Sequence, residues 1–124
     1  MVLKINFNED KPIYVQIKEY IEDSIINESI KAGERVPSTN EFAKYYKINP
    51  ATAAKGINEL VLDNVLVKRR GVGMFVTDHA RETLIEKRKE LFYKSYILPL
   101  KEEANKLQIS PEQLVEMLKR EEQS

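Results

Sequence analysis

The sequence of 124 residues contains no cysteine and only one histidine, His79. Without cysteine the chain cannot form a disulfide, a thiolate metal site or a cysteine nucleophile, and one histidine leaves little for general-base chemistry or a multi-histidine metal site. The carboxylates lie at helical spacing beside lysine and arginine, as in EKRKE (86–90) and KREE (119–122), which is typical of solvated helix surface. The composition therefore predicts neither an enzyme nor a cofactor or metal site.

Long hydrophobic runs are also missing. No stretch of about 18 apolar residues occurs, and the first residues, MVLKINFNEDKP, lack the apolar run of a signal peptide. We therefore expect a cytoplasmic protein without membrane contact. Hydrophobic residues make up 42% of the chain, enough for one small domain that would be marginally stable alone, so oligomerisation would help it.

The formal net charge is zero, which at first argues against a nucleic-acid partner. Binding to a polyanion depends on the local distribution of charge, however. From Lys44 to Gly73 the chain has six lysines and arginines against Glu59 and Asp63, a local charge of +4, whereas the segment before it is rich in carboxylates. The charge distribution therefore leaves a nucleic-acid partner open.

Three helices are predicted before the glycine-containing run, over residues 12–29, 38–46 and 50–63. The second opens with Ser38 and Glu41, the spacing of a capping box. Asn49 is a good N-cap for the third, and Asn64 can take the left-handed conformation that ends it.

Short β-prone runs follow the helices. VLVKR (65–69) and MFVTD (74–78) flank RGVG (70–73), where glycine supplies the positive φ that a hairpin turn requires. A further alternating run, LKINF (3–7), predicts a short strand. Two helices joined by a tight turn and followed by a hairpin make a winged helix-turn-helix, so the fold is predicted to be mainly α with a small β-hairpin.

The glycines of VKRRGVGMFV (67–76) allow three interpretations. A loop that cradles a phosphate needs its glycines between a strand and a helix N-terminus, but a strand-like run follows Gly71 and Gly73. A hairpin without a partner stays open. The third interpretation is a wing on DNA, in which Arg69 and Arg70 supply charge and Gly71 permits close approach of the backbone. Its position after two turn-linked helices favours the wing.

The first turns of the helix from Pro50 present small and polar side chains with one cation. A recognition helix reads base edges with its N-terminal residues, where small side chains permit close approach to the major groove. Asn49 and Thr52 could bind phosphates or bases, Ala51 could meet a thymine methyl group, and Lys55 suits a phosphate. The alternative is a capped surface helix whose polar residues serve only the cap.

The composition changes after the wing. The run ARETLIEKRKELFYKSYILPLKEEANKLQ is helical in pattern, Pro99 should kink or break it, and Ser110 caps a last helix. We therefore divide the chain into a winged helix-turn-helix domain over 1–78 and a C-terminal helical segment over 79–124.

Residues 11–77 resemble the winged-helix domain of GntR-type bacterial transcription regulators. The resemblance rests on PIY with a glutamine two residues later, on GERVPS before the second helix, on NPAT and AK in the third, and on RRGVGMFV. The short segment after the wing is similar to that of the small YtrA-like branch. The resemblance implies a sequence-specific DNA-binding regulator, a repressor, that pairs through its C-terminal helices and has no large effector domain.

The resemblance also implies DNA-facing roles for Ser38 and Asn40. It gives the same role to positions already singled out: Asn49, Thr52, Lys55 and Gly71. Many family members have arginine where this chain has Asn40, so a guanine contact would be lost or replaced by an adenine preference.

A homodimer on an operator with two half-sites is expected. One winged helix makes few phosphate contacts, and non-specific binding has a Kd of about 10⁻⁴–10⁻⁶ M, whereas specific regulators reach about 10⁻⁸ M or better. The candidate dimer contacts are the apolar residues of the C-terminal segment, with packing inside one subunit as the alternative: Leu84, Leu91, Ile97, Leu98, Leu114 and Leu118.

Two further points stay open at this stage. A winged helix can serve as a protein-interaction module without specific DNA binding, which the zero net charge and Asn40 favour and the basic wing opposes. The residues identify no small-molecule effector. If one binds, its pocket should lie near residues 78–95 or in the dimer interface.

Overall fold

The computed structural model describes residues 5–122. In chain order its elements are α1 (Ile13–Ile26), β1 (Arg35–Val36), α2 (Thr39–Tyr46), α3 (Pro50–Leu62), β2 (Leu66–Arg69), β3 (Gly73–Val76), α4 (Ala80–Phe92), a π-helical turn (Tyr93–Ile97), α5 (Leu98–Lys106) and α6 (Pro111–Lys119). The chain forms two compact units that divide between Glu86 and Lys87. The predicted class, mainly α with a small β-element, is confirmed.

The predicted capping residues start and end the helices where expected. The Ser38 hydroxyl accepts a hydrogen bond from the Glu41 backbone N–H at 3.2 Å, and the Glu41 carboxylate accepts one from the Ser38 N–H at 3.4 Å, which completes the capping box. The Asn49 side chain accepts from the Ala51 N–H at 2.8 Å. Asn64, with a φ of 61°, follows α3 in the left-handed conformation.

The sheet has three strands, one more than the predicted hairpin. Its order is β1-β3-β2, with both pairs antiparallel. The predicted hairpin is confirmed, with Arg69 opposite Gly73. The added strand, β1, lies between the first two predicted helices and places Arg35 opposite Phe75. A strand of two residues has no periodicity that a sequence pattern could reveal.

The predicted strand over 3–7 is wrong for the residues that the structure describes. Residues 5–7 have no strand structure, and residues 3–4 lie outside the described range. Ile5 and Phe7 are instead partly buried against the core. This packing explains the alternating pattern without strand pairing.

The core of the first unit lies between the helices and one face of the sheet. Gly56 permits close packing of α3 on α1, because a Cβ at this position would lie 2.7 Å from the Tyr14 carbonyl oxygen. At the edge of this contact, the Lys18 ammonium lies 3.6 Å from a Glu59 carboxylate oxygen and 3.4 Å from one of Asp63. The core consists of sixteen buried apolar residues: Ile17, Ile21, Ile25, Ile30, Val36, Phe42, Ala43, Ala53, Ile57, Leu60, Val65, Leu66, Met74, Val76, Ala80 and Leu84.

The boundary between the units falls later than the predicted division after residue 78. The start of α4 belongs to the first unit, because Ala80 and Leu84 are buried in its core. The Arg81 Nε also donates a hydrogen bond to the Ile26 carbonyl oxygen at 2.9 Å. The first residues of α4 therefore complete the core of the winged domain.

In the second unit, Pro99 does not break the helix. Helical structure continues from Ala80 to Lys106, and the irregularity is the π-helical turn immediately before the proline. Within it, the Leu98 N–H donates to the Tyr93 carbonyl oxygen, five residues back. A proline ring clashes with the carbonyl four residues earlier, and widening the turn is one way to relieve that clash. The last helix, α6, starts at the predicted cap, Ser110.

Across residues 5–122, the helices are all too short or too polar to cross a membrane.

Candidate nucleic-acid interface

The amino-terminal turns of α3 are open to solvent. Asn49, Ala51 and Lys55 are exposed and Thr52 is half-buried, whereas Ala53 on the opposite face is fully buried. The side-chain oxygen of Asn49 accepts the hydrogen bond of the cap, and its side-chain NH₂ group can still donate two hydrogen bonds. The predicted recognition residues thus form an accessible surface of small and polar side chains at the start of α3.

The position of Lys55 is set by α1. Its ammonium lies 4.1 Å from the centre of the Tyr14 ring, within the range of a cation–π contact. Tyr14 is half-buried at the start of α1. The sequence indicated a charge at Lys55, but the aromatic platform beneath it depends on the close approach of the two helices.

The start of α2 contributes a second polar surface. The Ser38 hydroxyl accepts a hydrogen bond from the Glu41 backbone N–H in the cap of α2. Asn40 is exposed one residue into the helix. Hydrogen bonds from the Arg35 guanidinium, and then from the backbone and hydroxyl of Ser38, hold the pKa of Glu41 below its ordinary value. The cap therefore carries a charged carboxylate that is paired with Arg35.

The turn between β2 and β3 presents the predicted basic tip. Arg69, Arg70 and Gly71 are exposed, and the Arg69 guanidinium lies 4.7 Å from the centre of the Phe75 ring. Gly71 has a φ of 78°, and a Cβ there would meet no atom within 4 Å. The left-handed backbone alone favours glycine at this position, and the open space leaves it accessible to a ligand.

A groove of about 160 Å³ lies between these surfaces. It is lined by the start of α2, the middle of α3 and the two wing strands: Ser38, Thr39, Asn40, Asn58, Lys68, Gly73 and Met74. The sequence interpretation included two of these residues, Ser38 and Asn40, and missed Thr39, Asn58 and Lys68. Lys68 was visible only as part of the basic run, and Asn58 had no distinguishing pattern. The fold brings them together.

A larger cavity of about 290 Å³ lies elsewhere on the first unit, beside the start of α4. Apolar residues such as Ile30 and Val76 form its buried part, and charged residues such as Lys31, Arg81 and Glu82 surround it. Its position falls within the region where the sequence placed an effector pocket. Because side chains of both charges surround the cavity, its charge favours no particular class of ligand. Across residues 5–122, His, Cys, Asp and Glu side chains form no group that could hold a metal ion.

The predicted dimer residues differ sharply in exposure. Leu84 is 1% exposed and belongs to the core of the first unit, so the expectation that it contacts a second subunit is corrected. The other predicted residues of the C-terminal segment are exposed or half-buried: Leu91, Ile97, Leu98, Leu114 and Leu118. Further large apolar side chains that the sequence interpretation did not select are also exposed: Phe92, Tyr93, Tyr96, Leu100, Leu107, Val115 and Met117.

Comparison with known proteins places this architecture in one family. A family model described as bacterial regulatory proteins, gntR family, matches residues 13–76. The HTH-type transcriptional repressor YtrA of Bacillus subtilis (strain 168) is 29% identical over 85 residues, which cover 68% of this chain and 65% of YtrA. The chain thus spans about two-thirds of the length of that relative.

Solved structures agree with the family match. A GntR family transcriptional regulator from Listeria monocytogenes superposes with a TM-score of 0.75 at 29% identity, covering 94% of this chain and 100% of that one. AraR(DBD) in complex with operator ORX1 superposes with a TM-score of 0.54 at 29% identity, covering 60% of this chain and 96% of that one. The relatives are transcriptional regulators, and the prediction that the chain is not an enzyme is confirmed.

Proposed function

We propose that this chain, which belongs to the gntR family of bacterial regulatory proteins, is a cytoplasmic transcription repressor that binds a two-half-site operator as a homodimer. In each subunit α3 enters the major groove, and the turn between β2 and β3 lies along the backbone or minor groove. The roles of Ser38, Asn40, Asn49, Ala51, Thr52, Lys55, Arg69, Arg70 and Gly71 belong to this proposal.

The groove between α2, α3 and the wing strands is the observation that carries the proposal. Ser38, Asn58 and Lys68 line it and carry hydroxyl, amide and ammonium groups, and such groups bind phosphate oxygens in protein–DNA complexes. Its position between the start of α2 and the wing suits a phosphate of the DNA backbone that separates the major groove from the minor groove. The complex of AraR(DBD) with operator ORX1 supports DNA binding in general, since its fold is similar to that of this chain.

The start of α3 is suited to base readout. Ala51 is exposed and small, and the amide of Asn49 keeps free donors beside it. Amide side chains pair with adenine in the major groove, and small apolar ones meet the thymine methyl. We therefore expect an operator in which A·T pairs occupy the positions under Asn40, Asn49 and Ala51.

The exposed apolar side chains of the second unit support the pairing of two chains. Leu91, Leu98 and Leu118 are exposed, and an apolar surface of several such residues is typical of an interface. Two half-sites on one dimer supply the affinity that a single winged helix lacks, because one such module binds non-specific DNA with a Kd of about 10⁻⁴–10⁻⁶ M.

The test is fluorescence anisotropy of the protein with its own upstream DNA and with a scrambled duplex, each at two salt concentrations. We expect preferential binding to the native region and a steep loss of affinity with salt, because bound phosphates release counterions. The Arg69→Ala/Arg70→Ala variant should lose most of this binding, and Lys106→Ala/Arg120→Ala, which removes the same charge elsewhere, should not.

Equal binding by the two double variants would show that the basic tip of the wing does not contribute to DNA binding. If the unchanged protein bound no duplex even at low salt, the protein-interaction alternative would take precedence over DNA binding.

A further inference from the structure

We propose that Arg35 is a positioning residue that fixes the wing turn against the start of α2, so that both reach DNA in register. The inference rests on the proposed DNA binding for its consequence, but the tie itself is a property of the free protein. Arg35 lies in β1, the strand that sequence patterns did not reveal.

One end of the tie is the wing turn. The Arg35 Nε donates a long hydrogen bond of 3.5 Å to the Val72 carbonyl oxygen, across 37 positions of the chain. The side chain also lies directly on the bare Cα of Gly73. A Cβ added to Gly73 would lie 2.7 Å from the Arg35 Nε and 3.4 Å from its Cζ. Gly73 therefore leaves the space that the guanidinium occupies.

The other end of the tie is the cap of α2. The Arg35 Nη2 donates to the Glu41 carboxylate, the same oxygen that accepts from the Ser38 N–H. One oxygen of Glu41 therefore accepts hydrogen bonds from both the cap of α2 and Arg35. Through the Arg35 guanidinium it is linked to the wing turn. A planar guanidinium has donors in fixed directions, which lets one side chain hold two partners at once.

This arrangement distinguishes positioning from direct phosphate binding. The charge of Arg35 is already paired with Glu41, so a phosphate contact would have to compete with that pair. The tie adds a side-chain link between the wing turn and the start of α2 to the pairing of β1, β3 and β2. A turn that is ordered before binding loses less conformational freedom on the DNA.

The first experiment measures the free protein. Backbone ¹⁵N relaxation is compared between the unchanged chain, Arg35→Met and a control, Lys31→Met, which removes an exposed charge from the same loop. We expect the order parameters of Val72 and Gly73 to fall in Arg35→Met only, with thermal unfolding of the unit close to unchanged in both variants. Unchanged order at Val72 and Gly73 would overturn the proposal.

The second experiment is a double-mutant cycle on operator DNA. We expect Arg35→Met to weaken binding about tenfold in the natural sequence but less than about twofold in the Arg69→Ala/Arg70→Ala background, because residues that act through one another are not additive. Arg35→Lys should bind like Arg35→Met, since a single ammonium cannot replace two directed donors.

Equal losses in both backgrounds, or full rescue by lysine, would make Arg35 a direct electrostatic contact and overturn the positioning role. If the unchanged protein failed to bind any DNA, the proposed function would fall, while the relaxation data would still decide whether Arg35 orders the wing turn.

Discussion

The two units of this chain use apolar residues in opposite ways. The first unit buries sixteen of them in one core, whereas Ala104 is the only buried residue of the second unit within residues 87–122. The leucines and aromatic residues of the second unit lie at its surface. A helical segment without its own core gains little stability from packing within one chain. The first unit therefore has a core of its own, and the exposed apolar residues of the second unit support the proposed pairing of two chains.

The largest expected effect tests the assignment of Leu84 to the first unit. We expect Leu84→Ala to lower the free energy of unfolding by about 2–5 kcal/mol, the usual cost of a cavity at a buried leucine. Leu118, which is 77% exposed, provides the matched change in the second unit, and Leu118→Ala should cost about 0.5 kcal/mol or less in the monomer. Urea unfolding at low protein concentration measures both.

The loss for Leu84→Ala should not depend on protein concentration, because core packing is internal to one chain. The loss for Leu118→Ala should grow at concentrations where the proposed dimer forms. Similar losses for Leu84→Ala and Leu118→Ala would contradict the contrast between the units.

The next effect concerns pairing. We expect Leu91→Glu/Leu118→Glu to shift the protein to monomers in sedimentation equilibrium and to weaken operator binding about a hundredfold, because one half-site alone approaches non-specific affinity. Thermal unfolding of the first unit should change little.

A control for pairing is Leu62→Glu, which places one such charge on a leucine of α3 that is 81% exposed in the first unit. Monomers in this control as well would move the dimer contact to the first unit. A dimer that survived the double substitution would remove the second unit from the interface.

A smaller effect should arise in the groove between α2, α3 and the wing. We expect Lys68→Met to weaken binding to all duplexes by a similar factor and to reduce the slope of log affinity against log salt by about 1, as for the loss of one phosphate contact. Anisotropy titrations at several salt concentrations measure the slope, with Lys31→Met as the control. A loss confined to one base sequence would instead indicate base readout.

The smallest effect concerns the charge contact between α1 and α3. Burial lowers the pKa of Lys18, but the carboxylates of Asp63, Glu22 and Glu59 outweigh it and raise the pKa above its ordinary value of 10.5. A raised folded-state pKa gives stability that is complete below the unfolded value and is lost as the pH rises through the folded one.

We therefore expect the stability difference between the natural chain and Lys18→Met to be largest near neutral pH and to shrink above about pH 10.5. Urea unfolding of both proteins at matched pH measures this difference, and the titration of other groups cancels between them. A difference that grew with pH would show that the carboxylates do not stabilise the ammonium.

Features that depend on neighbours in sequence were predictable. The caps at Ser38, Asn49 and Ser110 and the glycine at position 71 all lie where the sequence placed them. Each rests on hydrogen bonds or sterics within a few residues. The predicted winged helix-turn-helix followed from these local signals taken in order.

Helical periodicity, in contrast, could not separate Leu84 from Leu91. Both sit on one apolar stripe of α4, but Leu84 is buried in the first unit and Leu91 is half exposed in the second. The pattern shows which face of the helix is apolar but not which residues that face contacts. The π-helical turn is similar, because Pro99 predicts a disturbance but not how the backbone accommodates it.

The sequence by itself therefore determined the starts of α2, α3 and α6, the hairpin and the basic tip, since the hydrogen bonds and steric restrictions behind them are local. Only the tertiary structure decided the strand β1, the tie from Arg35 to Val72 and the groove that joins Ser38, Asn58 and Lys68. These features bring together residues that are far apart in the chain. No local preference specifies such pairs, because the packing of α1, α3 and the sheet sets their distances.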